Sequence, residues 1–312
     1  LSFEDLNKYK IRIIEPVCGI YRDYEICSMA PPSSGGIALV QILNILENID
    51  LSKLDHNSEG YLKVLISAMD YAYKDRALYL GDPDFFKVPQ DLLTSKNYAN
   101  KIFKNIQNEN QPSKLDINII ESEETTHFSI SDKWGNVVSN TYTLNTAYGS
   151  GIIPSGTGIL MNNEMDDFSL KPGYPNTYGL VGSEANKVEP KKTPLSSMSP
   201  VIVFRDDKPY LITGSPGGST IITSVLQEIL NVLDFKMSLE ESSKKSRIHF
   251  QHLPDILFHE ELDESLLKSL KKEKKLIKRK IGEIHSILLK EDVIEAFSDE
   301  RRSDGKASVF YK

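Results

Sequence analysis

A threonine that follows a polar linker and opens a strand-like segment is the residue of this sequence best suited to act as a nucleophile. The segment begins at Glu124-Thr125, runs to Ser129 and is preceded by a polar stretch around Pro112. A threonine hydroxyl is a weak nucleophile at neutral pH and needs a nearby base, which its own α-amine supplies once the chain is cut before it. The alternative interpretation of Thr125 is an ordinary residue at the start of a strand.

Two glycine-rich turns lead into apolar helices and could present backbone amides to an anion. Residues 33–36 precede the apolar segment 37–48, and residues 214–220 precede the apolar segment 221–233. The first amides of a helix are unpaired and electropositive, so such turns suit an oxyanion or a carboxylate. The first turn lacks the Gly-Lys-Ser/Thr sequence of a phosphate-binding loop, and taken alone it is interpreted as structural.

Two other residue pairs raise the question of metal or redox chemistry. Asp82 and Asp84 flank a proline, but no further oxygen ligands follow at the spacing of a calcium loop, which favours a turn capped by aspartate side chains. Cys18 and Cys27 are the only cysteines and could form a disulfide, but so small a cysteine framework favours free or buried thiols. No metal or organic cofactor is expected.

The elements that must position these residues change character along the chain, from helices to short strands. Apolar spacing predicts helices at 37–48, 60–80, 91–106 and 221–233, and β-branched or aromatic runs predict strands at 11–14, 24–28, 126–131, 137–144, 158–161, 201–204, 210–213, 284–289 and 293–297. Because no long helix separates the strands after Thr125, this half is expected to begin as antiparallel sheet.

Three local patterns refine this assignment. Ser2 followed by Asp5 predicts a capping box and a short helix. Gly19 is expected to form the turn between the first two strands. Asp75 and Arg76 are predicted to lie on the polar side of the helix at 60–80.

The composition excludes several classes of partner. The 312 residues include 37 basic and 44 acidic side chains, which gives a net charge of −7 and argues against nucleic acid. No apolar segment is long enough to suggest a membrane span. The lysine-rich segment 268–280 is interpreted as the solvated face of a helix. Small molecules are the expected ligands.

Five motifs in one order identify a resemblance to a known family. They lie at residues 125–129, 143–146, 162–168, 194–198 and 214–218. In these motifs the chain resembles the gamma-glutamyltranspeptidase, or glutathione hydrolase, family. The resemblance runs from Leu1 through Arg301, and the loop at 172–183 is similar to that of the bacterial type.

The resemblance implies an α+β fold of the N-terminal-nucleophile hydrolase type, a four-layer αββα sandwich. It also implies a precursor that cuts itself between Glu124 and Thr125. Residues 1–124 would then be the C-terminal part of a large subunit and residues 125–312 the small, catalytic subunit, both within one intertwined domain. The family's large subunit is longer, so the chain is expected to lack its first part.

Each motif residue acquires an expected role from the resemblance. Thr125 matches the nucleophile, Thr143 matches the threonine that hydrogen-bonds to it, and Gly217 and Gly218 match the amides that hold the oxyanion. A zwitterionic γ-glutamyl head needs acceptors for its ammonium and donors for its carboxylate. The matching acceptors are Asn145, Glu164 and Asp167, and the matching donors are Ser196 and Ser197. Tyr178, in a glycine-rich loop, matches a residue that shields the site.

The implied activity is transfer of a γ-glutamyl group from glutathione or related amides to water, amino acids or peptides. Two alternatives remain open: a related acylase that acts on glutaryl or cephalosporin amides, and an unprocessed fragment without catalytic activity. The resemblance implies a periplasmic or secreted protein. His127, although near Thr125, is interpreted as structural, because the threonine amine supplies the base.

One departure from the family pattern concerns an arginine early in the large subunit, which pairs with the substrate carboxylate in the family. No residue of this chain can be assigned to it. Because a bidentate contact between arginine and carboxylate is hard to replace, the isolated 312-residue chain is expected to be weakly active or inactive.

Overall fold

A six-stranded antiparallel sheet with helices packed against it organises the fold. The computed structural model describes residues 1–108, 125–291, 293–302 and 304–310. In chain order the elements are α1 (Phe3–Lys8), β1 (Val17–Tyr21), β2 (Tyr24–Ser28), α2 (Gly35–Leu46), α3 (Glu59–Tyr79), α4 (Gln90–Leu93), α5 (Lys96–Gln107), β3 (Thr126–Ser131), β4 (Val137–Tyr142), β5 (Val201–Arg205), β6 (Lys208–Thr213), α6 (Ile221–Leu233), α7 (Leu239–Lys244), β7 (Ile248–His249), β8 (Ile256–His259), α8 (Glu264–Leu270), β9 (Lys275–Lys278), β10 (His285–Leu289) and β11 (Ile294–Ser298).

The strands form three groups. The large sheet has the order β1-β2-β5-β6-β10-β11, and all its neighbours are antiparallel. Strands β3 and β4 form a separate antiparallel ribbon, and β7, β8 and β9 form a small sheet in which β8 and β9 are parallel. The mixture of helices and antiparallel strands agrees with the predicted α+β class.

One hydrophobic core joins the residues before and after position 124. Helices α2 and α6 are buried along their whole length, and buried polar side chains such as Gln41 and Gln227 are hydrogen-bonded within the protein. Leu39 of α2, Val203 of β5 and Leu226 of α6 belong to the same cluster of buried side chains. The two halves of the chain therefore share this core.

The β3–β4 ribbon is held against the large sheet by serine side chains. The Ser129 hydroxyl donates to the His285 carbonyl oxygen at 3.0 Å. The Ser139 hydroxyl donates to the Thr213 carbonyl oxygen at 2.9 Å and accepts from the Val201 amide at 3.1 Å. These bonds fix the position of Thr125, the residue that immediately precedes β3.

Several predicted elements are confirmed, and the differences have local causes. Helix α1 begins with the predicted capping box of Ser2 and Asp5. The helix predicted at 91–106 is divided into α4 and α5, because Ser95 caps a new helix by accepting from the Tyr98 amide. The segment 158–161, predicted as a strand, contains no strand, and Gly158 has a positive φ of 66° there.

The strand predicted at 11–14 is also wrong. This segment is irregular and exposed. Its residue Arg12 lies within 3.3 Å of the Asp82 carboxylate and 2.9 Å of that of Asp84. Asp82 also accepts from the Asp84 and Thr193 amides, so this aspartate pair caps a turn, as predicted.

The lysine-rich segment 268–280 is only partly helical. Helix α8 ends at Leu270, and the chain then forms β9, which pairs in parallel with β8. Leu276 packs against the main core, while Lys275 and Lys278 remain exposed. Pairing with β8 and the packing of Leu276 make this segment a strand, although its lysine content favoured a solvated helix face.

The prediction of free thiols is wrong, because Cys18 and Cys27 form a disulfide. Gly19 lies inside β1, and the turn falls at Arg22, whose φ is 54°. This turn makes Cys18 and Cys27 direct partners across the β1–β2 hairpin, with their Cα atoms 4.1 Å apart. The turn lies three residues after its predicted position at Gly19, and this register places Cys18 opposite Cys27.

We expect replacement of both cysteines by serine to lower the free energy of unfolding by about 1–3 kcal/mol, because the cross-link closes a short loop in the unfolded chain. Denaturant unfolding measures this change. A matched control is the wild-type protein in reductant, which should lose the same stability. Equal unfolding midpoints for the oxidised wild type and the double variant would contradict the prediction.

Within the described ranges, no helix combines the length and the apolar character needed to cross a bilayer.

Candidate active site

A small cavity of about 20 Å³ lies where the β3–β4 ribbon, the start of α6 and two loops meet. Nine of the ten residues that the sequence assigned to catalysis and substrate binding line it: Thr125, Thr143, Asn145, Glu164, Asp167, Tyr178, Ser196, Ser197 and Gly218. The tenth, Gly217, immediately precedes Gly218. Glu124, on the other side of the predicted cut, lies outside the described residues. Residues up to 93 positions apart in sequence, from Thr125 to Gly218, therefore meet at one place.

The two threonines are placed by the register of the ribbon. Thr126 pairs with Tyr142, so Thr125 just before β3 and Thr143 just after β4 are brought side by side. The Thr143 hydroxyl oxygen accepts from the Asn145 amide at 2.8 Å. Thr125 is half-buried and borders the cavity. A group in the cavity can therefore reach both hydroxyls.

The glycine pair begins the helical segment that continues as α6. Gly217 has φ of 129° and Gly218 has φ of 54°, both in the region that favours glycine. A Cβ atom on Gly218 would lie 2.7 Å from the Tyr178 ring, and one on Gly217 would lie 2.5 Å from the Thr220 hydroxyl oxygen. The amides of a first helical turn have no intrahelical acceptor and lie at the positive end of the helix dipole. They suit a negatively charged oxygen.

Glu164 and Asp167 form an acidic pair in a short 3₁₀-helix at Glu164–Asp167. Both carboxyl groups are partly open to the cavity but otherwise surrounded by protein. Burial raises the pKa of Asp167 well above its usual range, and the charge and hydrogen bond of Glu164 raise it further. Burial also raises the pKa of Glu164. The proximity of Glu164 thus favours the protonated form of Asp167, and a nearby cation would favour its carboxylate form.

The serine pair belongs to a loop that is bound to the glycine-rich turn before α2. The Ser196 amide donates to the Pro32 carbonyl oxygen, and the Ser34 amide donates to the Ser196 carbonyl oxygen, both at 2.9 Å. The Ser33 hydroxyl donates to the Met198 carbonyl oxygen at 2.7 Å. This geometry agrees with the structural interpretation of the first glycine-rich turn.

Arg76 is a residue of this region that the sequence reasoning misplaced. It was predicted on the polar side of its helix, yet it is 5% exposed and donates to the Ser197 hydroxyl oxygen at 3.1 Å. The spacing of Arg76 from the apolar residues of the same helix already indicated the buried face. Met69, Ala72 and Tyr73 are buried on α3, and Arg76 follows them by seven, four and three residues, which places it on the same face.

Tyr178 closes the cavity. Its hydroxyl donates to the Asn145 carbonyl oxygen at 2.8 Å, and its side chain is buried. The Tyr178 carbonyl oxygen accepts from the Gln251 amide group at 3.2 Å. Asn145 itself has a positive φ of 79°, a conformation that a non-glycine residue adopts when its surroundings impose it.

His127 lies away from the small cavity, as its structural interpretation requires. Its ring nitrogens are 2.8 Å from the Thr141 hydroxyl and 3.1 Å from the Ser129 hydroxyl. Burial, together with the neighbouring His285, lowers the pKa of His127 to about 3, so the ring is neutral at physiological pH. The ring borders a second, larger cavity of about 280 Å³ that Thr125 also lines.

Comparison with known proteins assigns this arrangement to a family. The family model for gamma-glutamyltranspeptidase matches residues 1–309. The glutathione hydrolase proenzyme of Escherichia coli (strain K12) is 49% identical over 302 residues, which are 94% of this chain and 52% of that protein. The chain thus spans about half the length of the curated relatives it matches.

Solved structures confirm the predicted fold class. The gamma-glutamyltranspeptidase from Pseudomonas nitroreducens complexed with L-DON is 45% identical and aligns with a TM-score of 0.57, covering 59% of this chain and 100% of that chain. The cephalosporin acylase from Bacillus halodurans, at 22% identity, aligns with a TM-score of 0.81 over 100% of this chain and 56% of that chain and shows the same fold. The fold is that of the N-terminal-nucleophile hydrolases, and the chain belongs to the gamma-glutamyltranspeptidase family.

Proposed function

We propose that the protein transfers γ-glutamyl groups from glutathione and related amides to water, amino acids or peptides, with Thr125 as the nucleophile. The observation that carries this proposal is one cavity in which Thr125 is accompanied by an acidic pair, Glu164 and Asp167, and by a serine pair, Ser196 and Ser197. The γ-glutamyl head has an ammonium and a carboxylate. Acceptors for the first and donors for the second thus border the same nucleophile.

The reaction follows from these positions. The Thr125 oxygen attacks the γ-carbonyl carbon, and its proton passes to the α-amine of Thr125. The resulting oxyanion accepts from the Gly217 and Gly218 amides, each contributing roughly 3–4 kcal/mol if they resemble measured oxyanion donors. The amine then protonates the leaving nitrogen, the C–N bond breaks, and an ester on Thr125 remains. Water or an acceptor amine attacks this ester and gives its proton to the α-amine, which passes it to the Thr125 oxygen as the C–O bond breaks and the γ-glutamyl product leaves.

A free α-amine on Thr125 requires cleavage of the bond between Glu124 and Thr125. Residues 1–124 would then be the end of the large subunit and residues 125–312 the small one. The ribbon register supports this proposal, because it brings the Thr143 hydroxyl beside Thr125, where it can orient the attacking group. The substrate head would contact Asn145 as well, whose side-chain oxygen adds an acceptor near the acidic pair.

The closed cavity is smaller than any substrate of this kind. Its volume of about 20 Å³ is enough for one water molecule. Tyr178 takes the space above Gly218, and it would shield the ester from bulk water once a substrate is bound. We propose that the loop that carries Tyr178 moves outward when a substrate enters. The Cys18–Cys27 disulfide supports an oxidising compartment, such as the periplasm or the cell exterior.

Three p-nitroanilides with different heads test this function in the protein expressed from its full reading frame. The γ-glutamyl compound has both charged groups, the glutaryl compound lacks the ammonium, and the 4-aminobutyryl compound lacks the carboxylate. We expect kcat/KM for the γ-glutamyl compound to exceed both others by about 30-fold or more, because each lost ion contact costs roughly 2–5 kcal/mol. Faster turnover of the glutaryl compound would indicate the acylase alternative. No turnover of any of them would refute the proposal.

A further inference from the structure

We infer that Arg76 is a positioning residue for recognition of the substrate carboxylate: it fixes the Ser197 hydroxyl as a donor that faces the cavity. This inference rests on the proposed function and deepens it. Arg76 lies on α3, before the proposed cut, whereas Ser197 lies after it. The contact therefore joins the two proposed subunits at the binding site.

The guanidinium group binds two serines at once. Its Nε donates to the Ser34 hydroxyl oxygen at 2.9 Å, and its Nη2 donates to the Ser197 hydroxyl oxygen at 3.1 Å. The Ser34 hydroxyl in turn donates to the Ser196 carbonyl oxygen at 2.8 Å. The planar fork of arginine thus holds the side chain of Ser197 and the backbone of Ser196 together.

The direction of these bonds decides what the serines can do. A serine hydroxyl has one proton and can accept through its lone pairs. The Ser197 oxygen accepts from Arg76, and the Ser196 oxygen accepts from the Met198 amide at 3.0 Å. Within the described part of the chain, neither hydroxyl donates to a protein acceptor. Both protons are therefore available to an anion in the cavity.

The charge of Arg76 points to the same ligand. Among the described residues, no carboxylate lies within ion-pair distance of its guanidinium, although the side chain is 5% exposed. A buried cation without a counter-ion is costly, and an anion bound next to Ser197 would reduce that cost. The charge also counteracts the effects that raise the pKa of Asp167, so it favours the carboxylate form that an ammonium needs. A zwitterionic ligand would be bound more tightly through both effects, its carboxylate by the charge of Arg76 and its ammonium by the charged form of Asp167.

The test measures KM and kcat for γ-glutamyl-p-nitroanilide in variants of the full-length protein. Arg76→Met removes both donors, and we expect KM to rise about 10- to 100-fold while kcat changes much less, as for a lost bond to a charged group. Arg22→Met is the matched control, because Arg22 is likewise an arginine with several hydrogen bonds, but it lies outside the cavity. It donates to the backbone carbonyl oxygens of Glu47 and Ile49 and to the carboxylate of Asp234. Its KM should equal that of the wild type.

A double-variant cycle separates positioning from general loss of structure. If Arg76 acts through Ser197, Arg76→Met should raise KM by a clearly smaller factor in a Ser197→Ala background than in the wild type, because only the Ser34 contact and the charge of Arg76 are then left to lose. An undiminished effect in that background would overturn the inference. So would an unchanged KM in Arg76→Met, or a drop in kcat alone.

Arg76→Lys provides the test if the methionine variant does not fold. One ammonium cannot reproduce the two fixed donations to Ser34 and Ser197, so we expect KM to rise about 3- to 10-fold above the wild-type value. A wild-type KM in this variant overturns the inference. Failure of the proposed function is distinguishable, because the wild type itself would then not turn over the γ-glutamyl substrate.

Discussion

The Thr125→Ala variant, expressed from the full reading frame, is expected to remain one uncut chain and to lose at least about 10⁴-fold of its γ-glutamyl turnover. The variant lacks the hydroxyl that we propose attacks both the Glu124 carbonyl carbon and the substrate, and removal of a nucleophile commonly costs this much. Intact-mass analysis measures the cut, and release of p-nitroaniline measures the activity.

Thr126→Ala is a close control for this prediction. Thr126 is the next residue, it is exposed on β3, and it does not line the small cavity. It should be cut and should turn over substrate much like the wild type. Thr125→Ser, which keeps a hydroxyl, should be cut and retain part of the activity. Two fragments meeting at Glu124/Thr125 in the alanine variant, or wild-type turnover by it, would show that Thr125 is not the nucleophile.

Asp167→Asn is expected to lower kcat/KM by about 10²- to 10³-fold, because the proposed contact of the substrate ammonium loses a charged, half-buried acceptor. It should also make the substrate-free protein more stable at neutral pH. Burial and Glu164 raise the pKa of Asp167 in the folded protein above its unfolded value. The carboxylate therefore destabilises the fold at pH values above its folded pKa, and asparagine removes that cost.

The pH dependence gives this prediction a definite sign. Because the folded protein holds the Asp167 proton more tightly, its stabilising contribution is complete below the unfolded pKa of about 4 and is lost as pH rises through the folded value. The free energy of unfolding should fall less between pH 4 and pH 8 in Asp167→Asn than in the wild type. Asp206→Asn, an exposed turn residue, is the control. A variant that is less stable than the wild type at pH 8 would contradict the argument.

The site was more predictable from sequence than its surroundings. The resemblance, through the five motifs and the loop at 172–183, named nine residues that border one cavity, because a binding site for a defined ligand demands particular side chains at particular positions. Arg76 was missed, because a charged residue on an amphipathic helix is usually solvated and nothing local shows that Ser34 and Ser197 lie within its reach. The buried position of Arg76 depends on contacts with segments that are distant in sequence.

Two errors in the fold have similar physical origins. The pairing of Cys18 with Cys27 depended on the turn at Arg22, where a non-glycine residue adopts a positive φ that composition does not reveal. The strand at Lys275–Lys278 depended on pairing with β8 and on the packing of Leu276. In both cases a neighbouring strand, rather than intrinsic propensity, determined the local structure.

The strand order of the large sheet determines how many polypeptides must meet when the cut protein refolds. Strand β2 precedes position 124 and pairs with β5, which follows it, so the proposed cut divides one sheet between two polypeptides. Unfolding of the cut protein would separate these polypeptides, and refolding would require a bimolecular encounter. The uncut chain refolds within a single molecule. Recovery after dilution from denaturant should therefore depend on protein concentration for the cut protein but not for the uncut chain. The proposed cut thus converts refolding from a unimolecular into a bimolecular reaction.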